Sequence, residues 1–178
     1  MSAFLKRRLP ETKEIFLALS MAIFLVFSWS LRSLFYNVPA LLLSFLPGDI
    51  LFIVAYMFAF ALLESLAITV GMLSLAVVLP GAILKDGFAY KASYFFIAMG
   101  ILSVYLQFVM NNQPRINFLL IEIGKTLAGW LAAVVITRYV PPVQKIILEL
   151  LDRITIFSYI YLPLGLISLL VVILRNLW

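Results

Sequence analysis

The sequence contains no histidine and no cysteine. Without histidine, haem ligated by imidazole, zinc sites built on histidine and histidine acid–base chemistry are excluded. Without cysteine, thiolate metal sites, iron–sulfur clusters, disulfide bonds and cysteine nucleophiles are excluded as well. We therefore expect no metal site, no cofactor and no catalytic residue set. An enzyme that acts on a lipid, or the membrane domain of one, is the least favoured class of function.

Charged residues are also scarce, at 12% of the chain, whereas hydrophobic residues make up 65%. Soluble domains typically have about 25% charged and about 45–50% apolar residues. Apolar stretches near the length of a membrane span recur along the 178 residues, as they do in proteins that cross a bilayer several times. The sequence thus predicts an all-α, polytopic membrane protein that forms a single domain over residues 1–178.

Five transmembrane helices and two shorter elements are predicted. The spans are residues 15–31, 50–80, 92–110, 116–137 and 155–174. Residues 33–49 hold a short apolar core bounded by prolines, which predicts a re-entrant or interfacial segment. Residues 142–154 alternate apolar and charged side chains at helical spacing, which predicts an amphipathic helix in the membrane plane. In the alternative topology, residues 50–84 split or residues 38–46 insert as a further crossing.

The basic residues are divided unequally between the two sides of this topology. Nine lie on the side of the N-terminus, and three lie on the opposite side. The nine are Lys6, Arg7, Arg8, Lys13, Lys85, Lys91, Arg138, Lys145 and Arg153, and the three are Arg32, Arg115 and Arg175. The positive-inside rule therefore predicts a cytoplasmic N-terminus and an outside C-terminus, and the short loops are typical of a bacterial or archaeal plasma membrane protein. Because the positive charge flanks the spans, the expected partner is the lipid bilayer and not a nucleic acid.

Glu64 is the one charged residue between positions 50 and 84. An ionisable side chain at the bilayer centre costs about 2.5–3.5 kcal/mol on insertion scales, so it is expected to face protein or water. Ala61, Ala67 and Gly71 lie at helical spacing from it. Small residues allow a second helix to approach closely, so we predict that Glu64 faces another helix.

Lys125 lies almost midway along the fourth span. It has small neighbours of its own that are predicted to pack against a helix: Gly124, Ala128, Gly129 and Ala132. At a rise of 1.5 Å per residue, Glu64 and Lys125 differ by about 7 Å in depth, so we hypothesise an ion pair between the second and fourth spans. In the alternative, Glu122 neutralises Lys125 at i+3 on the same helix, and an uncharged Glu64 bonds to a hydroxyl or carbonyl group. A structural role of these three groups is favoured over a role in transport.

Three classes of function remain open. The favoured one is a non-catalytic membrane subunit or assembly partner in a larger membrane complex, joined to other subunits or to itself. The second is a transporter or channel for a small solute, ion or proton, with Glu64 and Lys125 in the pathway. The lack of an internal repeat and the odd number of spans weigh against it. The third is the lipid-linked enzyme already ranked last.

Overall fold

A computed structural model describes residues 9–78, 84–109 and 116–177 of the chain, and within these ranges it contains helices and turns but no strand. The helices are α1 (Thr12–Ser44), α2 (Pro47–Val78), α3 (Phe88–Val109), α4 (Ile116–Tyr139) and α5 (Pro141–Leu177). All five are long and apolar enough to cross a membrane. For the described residues, the prediction of an all-helical chain with five helices long and apolar enough to span a membrane is thereby confirmed.

The region predicted as a separate segment, residues 33–49, is different in the structure. Residues 33–44 continue α1, and Pro39 lies inside the helix. An apolar chain in lipid must satisfy its backbone polar groups internally, and this favours a continued helix even across a proline. The helix ends where Phe45 adopts an extended backbone conformation. Pro47 then opens α2, a position at which its missing N–H costs nothing. The residues predicted as a re-entrant or interfacial segment thus form the end of α1, the turn after it and the start of α2.

The C-terminal third of the chain shows a second difference. Residues 142–154, predicted as an in-plane helix, and residues 155–174, predicted as the fifth span, form parts of the single helix α5. Neither proline nor glycine occurs between Pro142 and Pro163, so nothing in the sequence interrupts the hydrogen-bonding pattern at residue 154. The charged pattern of residues 142–154 and the apolar pattern of residues 155–174 therefore belong to one continuous helix.

The core of the fold is formed by α1, α2 and α5, which pack against one another, while α3 packs on α1 and α4 packs chiefly on α3. Phe27 of α1 is fully buried at the centre. Its ring stacks on those of Phe58 and Tyr161, with centroid separations of 5.8 and 5.0 Å. A Cβ atom at Gly165 would lie 3.0 Å from the Cβ of Leu62 and 3.1 Å from the Cζ of Phe27. Gly165 thus allows α5 to approach both neighbouring helices.

The turn before α3 requires a glycine. Gly87 has a φ angle of 71°, in the left-handed region that side chains with a Cβ rarely occupy. A Cβ atom there would clash with Cε1 of the Tyr90 ring. The backbone conformation and the aromatic contact therefore both exclude a larger residue.

We expect Gly87→Ala to lower the free energy of unfolding by about 1–2 kcal/mol, the cost of a left-handed residue with a Cβ. Displacement of the Tyr90 ring by the new Cβ atom should lower it further. Equilibrium unfolding in mixed detergent micelles measures this loss. Gly100→Ala on α3 is the matched control, because nothing lies within 4 Å of its added Cβ. Equal stability of the two variants would contradict the assignment of the turn.

Candidate functional site

Glu64 lies on the side of α2 that faces away from the rest of the chain, and its side chain is exposed. The opposite side of the helix contains Ser65 and Thr69, which are buried and donate their hydroxyl groups to backbone carbonyls one turn earlier. Within the described ranges, the carboxyl group of Glu64 makes no hydrogen bond or ion pair. The described residues thus place an ionisable group in the middle of an apolar helix without covering it.

The small residues predicted to pack beside Glu64 divide between two sides of α2. Ala61 is buried with the core. Ala67 and Gly71 are exposed, and nothing lies within 4 Å of a Cβ atom built on Gly71. The outward surface of α2 formed by Glu64, Ala67 and Gly71 is called the α2 surface below.

Lys125 forms its ion pair within α4. Its Nζ donates to Oε1 of Glu122 at 2.7 Å, and the two side chains are 67% and 13% exposed respectively. The hypothesised pair with Glu64 in the same chain does not form among the described residues. The physical reason is the arrangement of the helices: α4 packs on α3 instead of α2, so the i+3 partner on its own helix is the available one.

The remaining small residues of α4 are also uncovered. Thr137 is the one buried residue of this helix, and a Cβ atom at Gly124 or Gly129 would meet nothing within 4 Å. The outward surface of α4, called the α4 surface below, is formed by Gly124, Lys125, Ala128 and Ala132, all exposed. Their predicted packing against a helix is thus not provided by the part of the chain that the structure describes.

A cleft of about 430 Å³ lies between α3 and α4. Tyr94, Tyr105 and Trp130 contribute aromatic walls, and Glu122 and Thr126 are its polar residues on α4. The lining is otherwise mainly aliphatic, and Gly129 lies in the same wall. Glu122 therefore belongs to the cleft, while its partner Lys125 lies outside it. Glu64 does not contribute to this cleft.

The ends of the helices at the N-terminal side are joined by a cluster that the sequence did not reveal. Oε2 of Glu14 accepts a hydrogen bond from the backbone N–H of Phe88 at 3.2 Å. The indole N–H of Trp130 donates to the backbone carbonyl of Lys91 at 2.9 Å, and Lys91 is only 6% exposed. These bonds join α1 to α3 and α3 to α4. The one available signal was Trp130 itself, because an indole N–H in an apolar span needs an acceptor nearby.

The described residues contain no group of three or more side chains suited to hold a metal ion. Comparison with family models, with curated proteins and with solved structures found no match for this chain. The described residues thus form five helices long and apolar enough to span a membrane, two of which have a charged side chain on their outward surface. The function has to be argued from those surfaces.

Proposed function

We propose that the chain is a non-catalytic integral membrane subunit that assembles with other subunits through the outward surfaces of α2 and α4. The observation that carries this proposal is the position of Glu64. It is the eighteenth of the 32 residues of α2, it is exposed, and the described part of the chain provides no partner for it. An ionisable side chain that faces lipid at this depth costs about 2.5–3.5 kcal/mol. Contact of Glu64 with a partner helix removes this cost.

The α4 surface supports the same proposal. Lys125 is the tenth of the 24 residues of α4 and is exposed together with three small residues. Lipid chains fit poorly into the groove that small residues leave, whereas a second helix can approach them closely and gain contacts. Each of the two surfaces therefore combines one charged group with a groove suited to a helix.

The transport alternative requires Glu64 and Lys125 to line a shared pathway. They lie instead on separate helices that do not form a shared ion pair, and the cleft next to α4 is lined by Glu122 and not by Glu64. This arrangement favours assembly over transport through a single chain.

The proposed subunit has its N-terminus in the cytoplasm and its C-terminus outside, in the plasma membrane of a bacterium or archaeon. The support is the excess of basic residues on the N-terminal side. Residues 142–154, the charged first part of α5, then lie at the cytoplasmic interface and continue into the span. Residues 33–44 of α1 lie at the outer interface. At about 1.5 Å per residue, the 33 residues of α1 exceed a hydrocarbon thickness of about 30 Å, which leaves length for both interfaces.

Replacing Glu64 by leucine tests the proposal. We expect Glu64→Leu to shift the assembly equilibrium toward single chains by at least about tenfold, equivalent to 1.4 kcal/mol. The unassembled chain becomes better solvated by lipid, and the assembled state loses a polar contact between helices. Native mass measurement of the full chain in mild detergent, over a range of concentrations, gives the ratio of assembled to single chains.

Ile160→Ala, an exposed position on α5, is the control and should leave the equilibrium unchanged. The proposal is overturned if the unmodified chain has the mass of one 20.1 kDa polypeptide at every concentration. It is also overturned if Glu64→Leu assembles as well as the unmodified chain.

A further inference from the structure

We infer that the partner is a second copy of this chain and that Glu64 of one copy contacts Lys125 of another, with the α2 surface of one packed on the α4 surface of the other. The inference rests on the proposed function and names the partner. No described residue of the same chain covers either surface, and the two surfaces present groups of opposite charge.

The charged groups lie at similar depths, and contacts in the core fix the level of Glu64. Leu62 and Phe27 both lie within 3.3 Å of the Cβ position at Gly165, so these three residues share one layer of the bundle. Glu64 follows Leu62 by two residues, or about 3 Å along the helix. The level of Phe27 is therefore close to the level of Glu64.

The level of Lys125 follows from the cluster at the other end of α1. Glu14 and Phe88 are hydrogen-bonded, which sets α1 and α3 at the same height at their N-terminal ends. Phe27 follows Glu14 by thirteen residues, and Ile101 follows Phe88 by the same number. The rings of Phe95 and Trp130 are in contact, with centroids 5.7 Å apart. Because α3 and α4 run in opposite directions, Lys125, five residues before Trp130, lies opposite Gly100, the neighbour of Ile101. The levels of Lys125 and Glu64 thus agree to within about one helical turn of 5.4 Å.

The small residues of the two surfaces also match in register. α2 and α4 cross the membrane in the same direction, since one helix lies between them in the chain. Counted from the charged residue, small residues occur at i+3 and i+7 on both helices: Ala67 and Gly71 after Glu64, Ala128 and Ala132 after Lys125. When two parallel helices place Glu64 beside Lys125, the small residues therefore come opposite each other, and the backbones can approach closely.

Lys125 has hydrogen-bonding capacity to spare. An ammonium group has three N–H donors, and Lys125 uses one of them for Glu122. The described residues provide no acceptor for the other two, and the carboxyl group of Glu64 from a second copy supplies one. Glu122 keeps its place in the cleft, so that Lys125 links the two acidic groups. Each copy has both an α2 surface and an α4 surface. When the same contact is repeated around a closed ring of copies, every α2 surface packs on an α4 surface.

Cross-linking between single cysteines tests the contact, because the chain has no cysteine of its own. Ala67→Cys and Ala128→Cys chains with different affinity tags are co-expressed, and their membranes are oxidised with copper phenanthroline. Both positions are exposed and the substitutions are small, so folding should be kept. We expect a disulfide-linked dimer that carries both tags, because only Cβ atoms about 3.5–4.5 Å apart fit a disulfide bond.

Two matched pairs serve as controls. Ala67→Cys with Ala132→Cys shifts the register by one turn, and Ile160→Cys with Ala128→Cys uses an exposed residue of α5. The doubly tagged dimer should be at least about tenfold more abundant for the 67–128 pair than for either control. Adding Glu64→Leu to the 67–128 pair should reduce its yield toward that of the controls.

The result separates failure of this inference from failure of the proposed function. In one outcome, the 67–128 pair gives no more product than the controls while native mass shows an assembly that contains a different protein. In that case the partner is not a second copy of the chain, and the proposed subunit function stands. Cross-linking only between identical positions would likewise overturn the contact between α2 and α4. If the chain neither cross-links nor assembles, both proposals are wrong.

Discussion

Replacement of Phe27 by alanine is expected to lower the free energy of unfolding by about 2–3 kcal/mol. Phe27 is fully buried and its ring stacks on Phe58 and Tyr161, so no neighbour can fill the space without disturbing this cluster. A Phe→Ala change removes a volume of about 100 Å³, and cavities cost about 24 cal/mol per Å³. In lipid the loss is mainly one of packing, since a lipid chain is as apolar as the core.

Equilibrium unfolding in mixed micelles, followed by circular dichroism, measures this loss. Phe35→Ala is the matched control, because Phe35 lies on the same helix and is largely exposed. We expect the control to change stability by less than about 0.5 kcal/mol, as is usual for surface substitutions. If both variants lose the same stability, Phe27 is not the centre of the core.

The five apolar spans and their helical type could be predicted from the sequence, but two of the helix boundaries could not. Hydropathy reports the composition of a window, and it gives five apolar helices directly. It does not report whether the backbone continues. Pro39 suggested a break that the structure does not contain, because the surrounding apolar chain retains helical hydrogen bonds. The charges in residues 142–154 suggested a separate element where α5 runs on.

The direction in which Glu64 faces could not be derived from the small residues around it. The buried side of α2 is also rich in small residues, including Ala55, Ala59 and Ala61, so the pattern occurs on two sides of the helix. A uniformly apolar helix has no amphipathic signal that distinguishes inside from outside. Only the packing of the other helices determines which side of α2 is buried. In the described part of the chain, this packing leaves Glu64 on the exposed side.

The importance of Gly165 likewise could not be derived from the sequence. Its role depends on Leu62 and Phe27, which belong to two other helices and come within 3.3 Å of its Cβ position. Gly71, Gly124 and Gly129 occur in more conspicuous patterns, yet each has open space around it. A glycine that permits close packing is identified by its neighbours in space, and these are distant in sequence.

We therefore expect Gly165→Ala to destabilise the fold by about 1–3 kcal/mol, the usual cost of overpacking a core. Gly100→Ala is the control, since its added Cβ meets nothing within 4 Å, and it should be neutral or slightly stabilising because alanine is the better helix former. Equilibrium unfolding in mixed micelles again gives both values.

A double-mutant cycle then identifies the residue that causes the loss. Phe27→Leu removes the ring whose Cζ atom lies 3.1 Å from the Cβ position at Gly165. In that background the cost of Gly165→Ala should fall by at least about 0.5 kcal/mol, the lower end of the coupling measured between residues in contact. Part of the cost should persist, because the Cβ atom of Leu62 is 3.0 Å away and belongs to a backbone that moves less easily than a ring. Additive effects of the two substitutions would show that Phe27 does not limit the approach of α5, and the close packing at Gly165 would then depend on α2 alone.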